Sequence, residues 1–215
     1  SGGGENSSYY GSFNYFNQDG ILIGSGFRRL NARFNSQHQI DKVKITHSLG
    51  LAEGKLQNNN WFGFDAVTDP NNAAGFGSIV DPIHGPGGLN QYALATMEEN
   101  LQTTRTAFST LKLDYEVNEN LKVSGNFGVD YRNVNVFQFT PTFQLTDPDN
   151  AIDPIRNLNV ANDLTNYTQE NINLLFEPTI SYDKTFAEKH QISAVLGHTR
   201  FVETQNGSGL YGEGT

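Results

Sequence analysis

From Leu121 to Tyr131 the chain alternates between oily and polar positions. Leu121, Val123, Phe127, Val129 and Tyr131 fall on one side of an extended chain, with Gly125 as the only gap. Lys122, Ser124, Asn126, Gly128 and Asp130 fall on the other. Strand side chains point to opposite faces with a period of two, so this stretch predicts one apolar and one hydrated face. Wound as a helix, the same pattern would smear its apolar residues around the cylinder. The preceding segment repeats the pattern, with Ala107, Leu111, Leu113, Tyr115 and Val117 opposed to Thr110, Lys112, Asp114 and Glu116. Only Asn118-Glu119-Asn120 separates the two, so the repeating unit is a two-faced hairpin.

The same pattern predicts about seven strands in all. The first runs from Ser7 to Phe16, with Tyr9, Phe13 and Tyr15 on one face. The second covers Phe27 to Gln39, where Leu30, Ala32 and Phe34 oppose Arg29, Asn31, Arg33 and Asn35. Val43 to Ala52 is the third, its apolar file interrupted by His47. Strand six spans Asn171 to Tyr182, and Pro178 there must cost a ladder bond or mark a bulge. Strand seven runs from His190 to about Phe201. Residues 1–6 read as the end of a turn and Gly209 to Thr215 as loop. The segments 54–104 and 133–170 read as irregular, apart from a turn or two of helix over Ala93 to Asn100.

The joints at 17–26, 40–42, 54–104, 118–120, 133–170 and 184–189 gather the short turns at one end of the strands and the longer segments at the other. Structureless loops longer than about 15 residues are uncommon in compact soluble domains. Membrane barrels, by contrast, segregate short periplasmic turns from long extracellular loops. No stretch supplies the roughly 20 apolar residues of a membrane helix, a test to which half-apolar strands are invisible. The expected fold is therefore all-β: part of an antiparallel, up-and-down transmembrane β-barrel with long extracellular loops. On that reading Arg29, Arg33, Lys112, Asp114, Lys122 and Asp130 face a watery lumen. The chain opens Ser-Gly-Gly-Gly with no signal sequence, so residues 1–215 are expected to be one internal portion of a longer barrel domain.

Composition narrows the function. There is no Cys, which excludes disulfides, thiolate metal sites and Cys nucleophiles. A formal charge of -9 argues against nucleic acid, whose phosphates call for clustered Lys and Arg. No nucleophile elbow or catalytic carboxylate pair stands out, so no enzyme is expected. The His residues at 38, 47, 84, 190 and 198 lack zinc spacing. Three carboxylates in Asp147-Pro-Asp-Asn-Ala-Ile-Asp153 resemble a calcium loop, but Ile152 stands where an EF-hand needs Gly. No metal or cofactor is predicted. In Asn58-Asn-Asn-Trp-Phe-Gly-Phe-Asp65, the rings of Trp61, Phe62 and Phe64 beside Asp65 suit a sugar. The same rings would also pack a loop onto a rim or a partner.

Four stretches carry a family resemblance, in order along the chain. Ser7-Ser-Tyr-Tyr-Gly-Ser-Phe-Asn-Tyr-Phe-Asn-Gln-Asp-Gly-Ile21 and Gly24-Ser-Gly-Phe-Arg-Arg-Leu-Asn-Ala-Arg-Phe-Asn35 form the first pair. Met97-Glu-Glu-Asn with Arg105 and Leu113-Asp-Tyr-Glu-Val comes next, and then Phe186-Ala-Glu-Lys-His-Gln-Ile-Ser-Ala-Val-Leu-Gly197. They resemble the SusC/RagA-type TonB-dependent transporters of the Bacteroidetes outer membrane. The resemblance implies roughly a third of a barrel of about 22 strands. It also implies active uptake of oligosaccharides or peptides across the cell outer membrane, with a SusD-like surface lipoprotein and TonB as partners. Two other readings fit the strand pattern: a porin or adhesin without TonB coupling, and a soluble β-sandwich that binds carbohydrate.

Overall fold

The computed structural model describes residues 1–21, 24–58, 98–144, 158–159, 161–186 and 189–214. Every regular element among them is a β-strand. In chain order these are β1 (Gly2–Gly4), β2 (Ser7–Asp19), β3 (Gly26–Ile40), β4 (Val43–Gln57), β5 (Glu99–Asn118) and β6 (Leu121–Thr140). β7 (Phe143–Gln144), β8 (Leu158–Asn159), β9 (Asn162–Phe186), β10 (His190–Gly197) and β11 (Arg200–Gly214) follow. From β1 to β6 neighbours in sequence are neighbours in space: one antiparallel sheet has the order β1-β2-β3-β4-β5-β6-β9-β10, and β11 also pairs with β9. β7 and β8 form a separate two-stranded ribbon.

Local chemistry sets the short turns. β3 and β4 are joined by Asp41-Lys42, where Asp41 takes a positive φ of 51°. Asp is among the few non-glycine residues that tolerate that conformation. At the next turn the Asn118 side-chain oxygen accepts from the backbone N–H groups of Asn120 (2.9 Å) and Leu121 (3.0 Å). The ladder shifts register between Glu116 and Asn118. Lys42 clamps the spot, its Nζ donating to the Val117 carbonyl at 3.3 Å and its own carbonyl accepting from the Glu116 N–H at 2.9 Å.

Six of the seven expected strands are present, the seventh is split into β10 and β11, and most are longer than their apolar alternation. β5 and β6 have 20 residues each and β9 has 25. The stretches read as irregular thus lose their flanks to strand: β4 reaches Gln57, β5 starts at Glu99, β6 reaches Thr140 and β9 starts at Asn162. Glu99 and Asn100 are strand, not helix, and residues 93–97 of that expected helix lie outside the described residues. Two end assignments are corrected as well. Gly2–Gly4 pairs with Ser7–Tyr9 as a small hairpin, and Gly209–Gly214 belongs to β11, paired residue for residue with β9.

Pro178 acts as a lost bond and not as a bulge. The register of β9 with β10 and with β11 is the same on both sides of it, Thr179 facing Gly197 and Phe176 facing Arg200. His198 still donates to the Pro178 carbonyl at 3.1 Å. Proline has no N–H to return, and the ladder breaks there into β10 and β11.

Candidate functional site

The pairing register fixes which residues share a face. Across β2 to β11 one row reads Ser12, Arg33, Gly50, Phe108, Asp130, Asn173 and Glu203. The adjacent row on the opposite face reads Gly11, Phe34, Leu49, Ser109, Val129, Leu174 and Val202. The sheet therefore has one polar and one apolar side over this band.

Both sides are open. Phe127 is 44% exposed, Val129 45%, Leu174 46% and Ile180 45%. No second layer of described residues covers them. With a little under half of each side chain exposed, leaving it in water would forgo roughly half of the about 1.5–3 kcal/mol that full burial supplies. The rings organise among themselves along the surface: Phe127 and Phe176 lie 4.8 Å apart and Tyr9 lies 6.4 Å from Phe34. His47, the polar intruder in the apolar file, shares a 3.0 Å hydrogen bond with Ser109.

The apolar band runs obliquely over the ladder. Its edge at the long-connection end is Tyr15 on β2 and Leu30 on β3, which share a row. It steps to the Leu51–Ala107–Tyr131–Ile172 row on β4, β5, β6 and β9. At the short-turn end it moves from Tyr9 on β2 to Ile192 on β10. Such a drift is expected where strands tilt against a layer of fixed thickness. Ten residue steps from Leu121 to Tyr131, at about 3.3 Å each and tilted by about 40°, span about 25 Å, the height of a membrane barrel's apolar band. Beyond the band even the apolar face turns polar. There Arg105 binds Glu53 at 2.8 Å, a hydrogen bond that lowers the Glu53 carboxyl from its ordinary pKa.

Arg29, Arg33, Lys112, Asp114, Lys122 and Asp130 all lie on the polar face. Three of them meet. Asp114, only 7% exposed, accepts from Ser124 Oγ at 2.6 Å, with Lys112 Nζ at 3.5 Å and Lys122 Nζ at 3.6 Å. Next to this cluster Asn126 donates to Glu177 at 3.0 Å. Arg29 and Arg33 lie further toward the long connections, and no acid among the described residues forms an ion pair with either. Arg33 instead reaches over the Phe108 ring, its Cζ 5.7 Å from the centroid.

Phe108 is the residue that sequence reasoning missed. It is out of phase with the apolar positions of β5, and that phase error was the available signal. Its ring occupies the space a side chain at Gly50 would need: a Cβ there would run into it. Trp61, Phe62, Phe64 and Asp65, with the acidic loop Asp147 to Asp153, lie outside the described residues. Among the described residues, no group of three or more His, Asp or Glu could hold a metal ion.

Comparison with known proteins agrees with this geometry. No protein-family model matches the chain. TonB-dependent receptor P3 of Formosa agariphila is 28% identical over 96% of this chain and 21% of its own length. TonB-dependent receptor P39 of the same organism is 24% identical over 92% and 18%. The chain thus spans about a fifth of these curated relatives. Among solved structures, the RagAB peptide transporter matches all of this chain and 25% of its own, with a TM-score of 0.76 at 18% identity. The RagAB peptide importer in its closed-closed state gives 0.73, also at 18% identity. The fold is that of a stretch of barrel wall in those chains, and the resemblance to SusC/RagA-type TonB-dependent transporters is borne out.

Proposed function

We propose that the chain is a wall segment of an outer-membrane TonB-dependent transporter that imports large nutrients, oligosaccharides or peptides. The observation that carries this reading is an exposed apolar band about as tall as a bilayer's hydrocarbon layer on one side of a meandering sheet. The segregation of short turns and long connections supports it. The apolar face meets lipid, and the polar face lines a water-filled lumen with Arg29, Arg33, Lys112, Asp114, Lys122 and Asp130. Trp61, Phe62, Phe64 and Asp65 follow β4 at the long-connection end, and a place on the extracellular side suits substrate contact.

The names of the matched relatives support the partners. A SusD-like lipoprotein covers the barrel from outside, as the two-component RagAB complexes suggest. TonB supplies the energy, as the names of the curated relatives suggest. The role is transport and not catalysis.

The test uses the full-length receptor in cells fed a labelled nutrient oligosaccharide or peptide. Accumulation above the external concentration, abolished by deleting TonB, is the expected result. Uptake that only equilibrates and does not change without TonB would replace this reading with a passive porin.

A further inference from the structure

Charge on the polar face is distributed unevenly. Consider β2 to β5 from the Asn35–Ser48–Thr110 row to the Phe27–Leu56–Gln102 row. The charged residues there are Arg29 and Arg33, both cations, on a chain of net charge -9. The next charges on this face toward the short turns are Lys112, Asp114 and Lys44, the first two of which form an ion pair. Asp130 shares a row with Arg33 but stands beyond Gly50 and Phe108. Both arginines are exposed.

The surroundings are shaped. Arg33 pairs across the ladder with Gly50 and Arg29 with Gly54, so each guanidinium has a strand neighbour without a side chain. Phe108 lies over Gly50, and Arg33 lies over Phe108. The resulting hollow is lined by Tyr10, Asn14, Asn31 and Thr106 as well as the two arginines and Phe108. Guanidinium groups offer paired donors that fit carboxylates, aromatic faces suit sugar rings, and amides and hydroxyls exchange hydrogen bonds with sugar hydroxyls.

We infer that Arg29, Arg33, Tyr10 and Phe108 form a subsite for acidic sugar residues, so that the substrates are oligosaccharides carrying carboxylate groups. This inference rests on the polar face lining a lumen. Two guanidiniums with no acid partner among the described residues would raise the local concentration of anions in a groove, and an anionic ligand would pair with them. Rings and amides beside them favour a sugar uronate over an acidic peptide.

The test places a cysteine at Asn31, between the two arginines, in the full-length receptor; the segment itself has none. Gln169→Cys, in the same row as Arg29, is the reference. Each variant is reacted with an anionic sulfonatoethyl and a cationic trimethylammonioethyl methanethiosulfonate. The anionic reagent should gain at Asn31→Cys by about threefold or more relative to the reference, and Arg29→Gln with Arg33→Gln should remove the gain. Oligogalacturonate should slow the modification, and a neutral oligosaccharide of equal length should not. Equal ratios at the two positions, or protection by an acidic peptide but not by oligogalacturonate, would overturn the subsite and leave the transporter reading intact. Failure of both water-soluble reagents at both positions would instead sink the lumen and the subsite together. The reagent preference is measured with both arginines in place, so it decides the question even if the double variant does not fold.

Discussion

At the scale of single residues, neighbours in the sequence meet different solvents. Phe127 sits near the middle of the apolar band and stacks on Phe176, whereas Asn126 points to the other face and binds Glu177. Arg in place of Phe127 should cost about 2–4 kcal/mol of barrel stability, the cost of placing Arg near the bilayer midplane. Asn126→Arg should cost far less, because the polar face already carries Lys112 and Lys122. Denaturant unfolding of the full-length receptor in lipid vesicles measures both, and equal losses would mean the two faces share one environment. A second residue-scale prediction concerns Gly50. A methyl group there runs into the Phe108 ring, so Gly50→Ala should destabilise by about 1–3 kcal/mol. Phe108→Ala in the same chain should recover most of that loss. A double-mutant cycle that shows the two changes simply adding would deny that the ring rests on the glycine.

At the scale of strands, the hairpin Ala107 to Tyr131 was legible because one face is apolar and the other hydrated, and the register bears this out except at Phe108, on the polar face, and at Val117, where the ladder shifts. The strand ends were not. Past Tyr131 the outward positions of β6 are Asn133, Asn135, Phe137 and Phe139 while Val134 and Val136 take the other face, so the alternation reverses phase and then reverts. A strand with water on both sides has no reason to alternate, and composition there resembles loop. β11 hid for a related reason. Its Gly-rich run is held by backbone pairing to β9, with Gly207 and Gly209 lying against the Tyr167 ring. The arginine hollow was half legible: Arg29 and Arg33 were placed by alternation, but Phe108 over Gly50 is a contact between strands that no single strand's pattern contains. Cysteine scanning along β6 should therefore alternate in labelling by a water-soluble maleimide from Leu121 to Tyr131. From Asn133 to Thr140 both phases should label, and alternation persisting to Thr140 would place the whole strand in lipid. At Pro178 a change to Ala should add a slowly exchanging amide aimed at the His198 carbonyl. The net bond is worth about 0.5–1.5 kcal/mol, offset in part by the unfolded-state entropy that proline removes. Absence of a protected amide at position 178 would show that the gap between β10 and β11 has another cause.

At the scale of the molecule, no described residue lies between the apolar face and whatever surrounds it. The sheet runs from β1–β2 to β10–β11 without closing, so its outer strands offer unpaired backbone groups along with an exposed apolar surface. Each feature alone drives association: free edges template further strands, and apolar patches beyond a few hundred Å² seek cover. A net charge of -9 opposes association, but screening within about 8–10 Å at ordinary salt leaves it weak against direct burial. Residues 1–215 produced alone in aqueous buffer should therefore aggregate, and a mild detergent should disperse them as strand-rich particles by covering the apolar side. Light scattering coupled to gel filtration, with circular dichroism on the same fractions, distinguishes the cases. The detergent arm matters because it separates lipid-seeking surface from plain misfolding: misfolded chain would stay aggregated or lose its strand signal. A monodisperse, strand-rich monomer without detergent would mean that the apolar face finds its cover within this chain. A two-layer sandwich would then be the fold, and neither the lipid-facing wall nor the lumen behind it would survive.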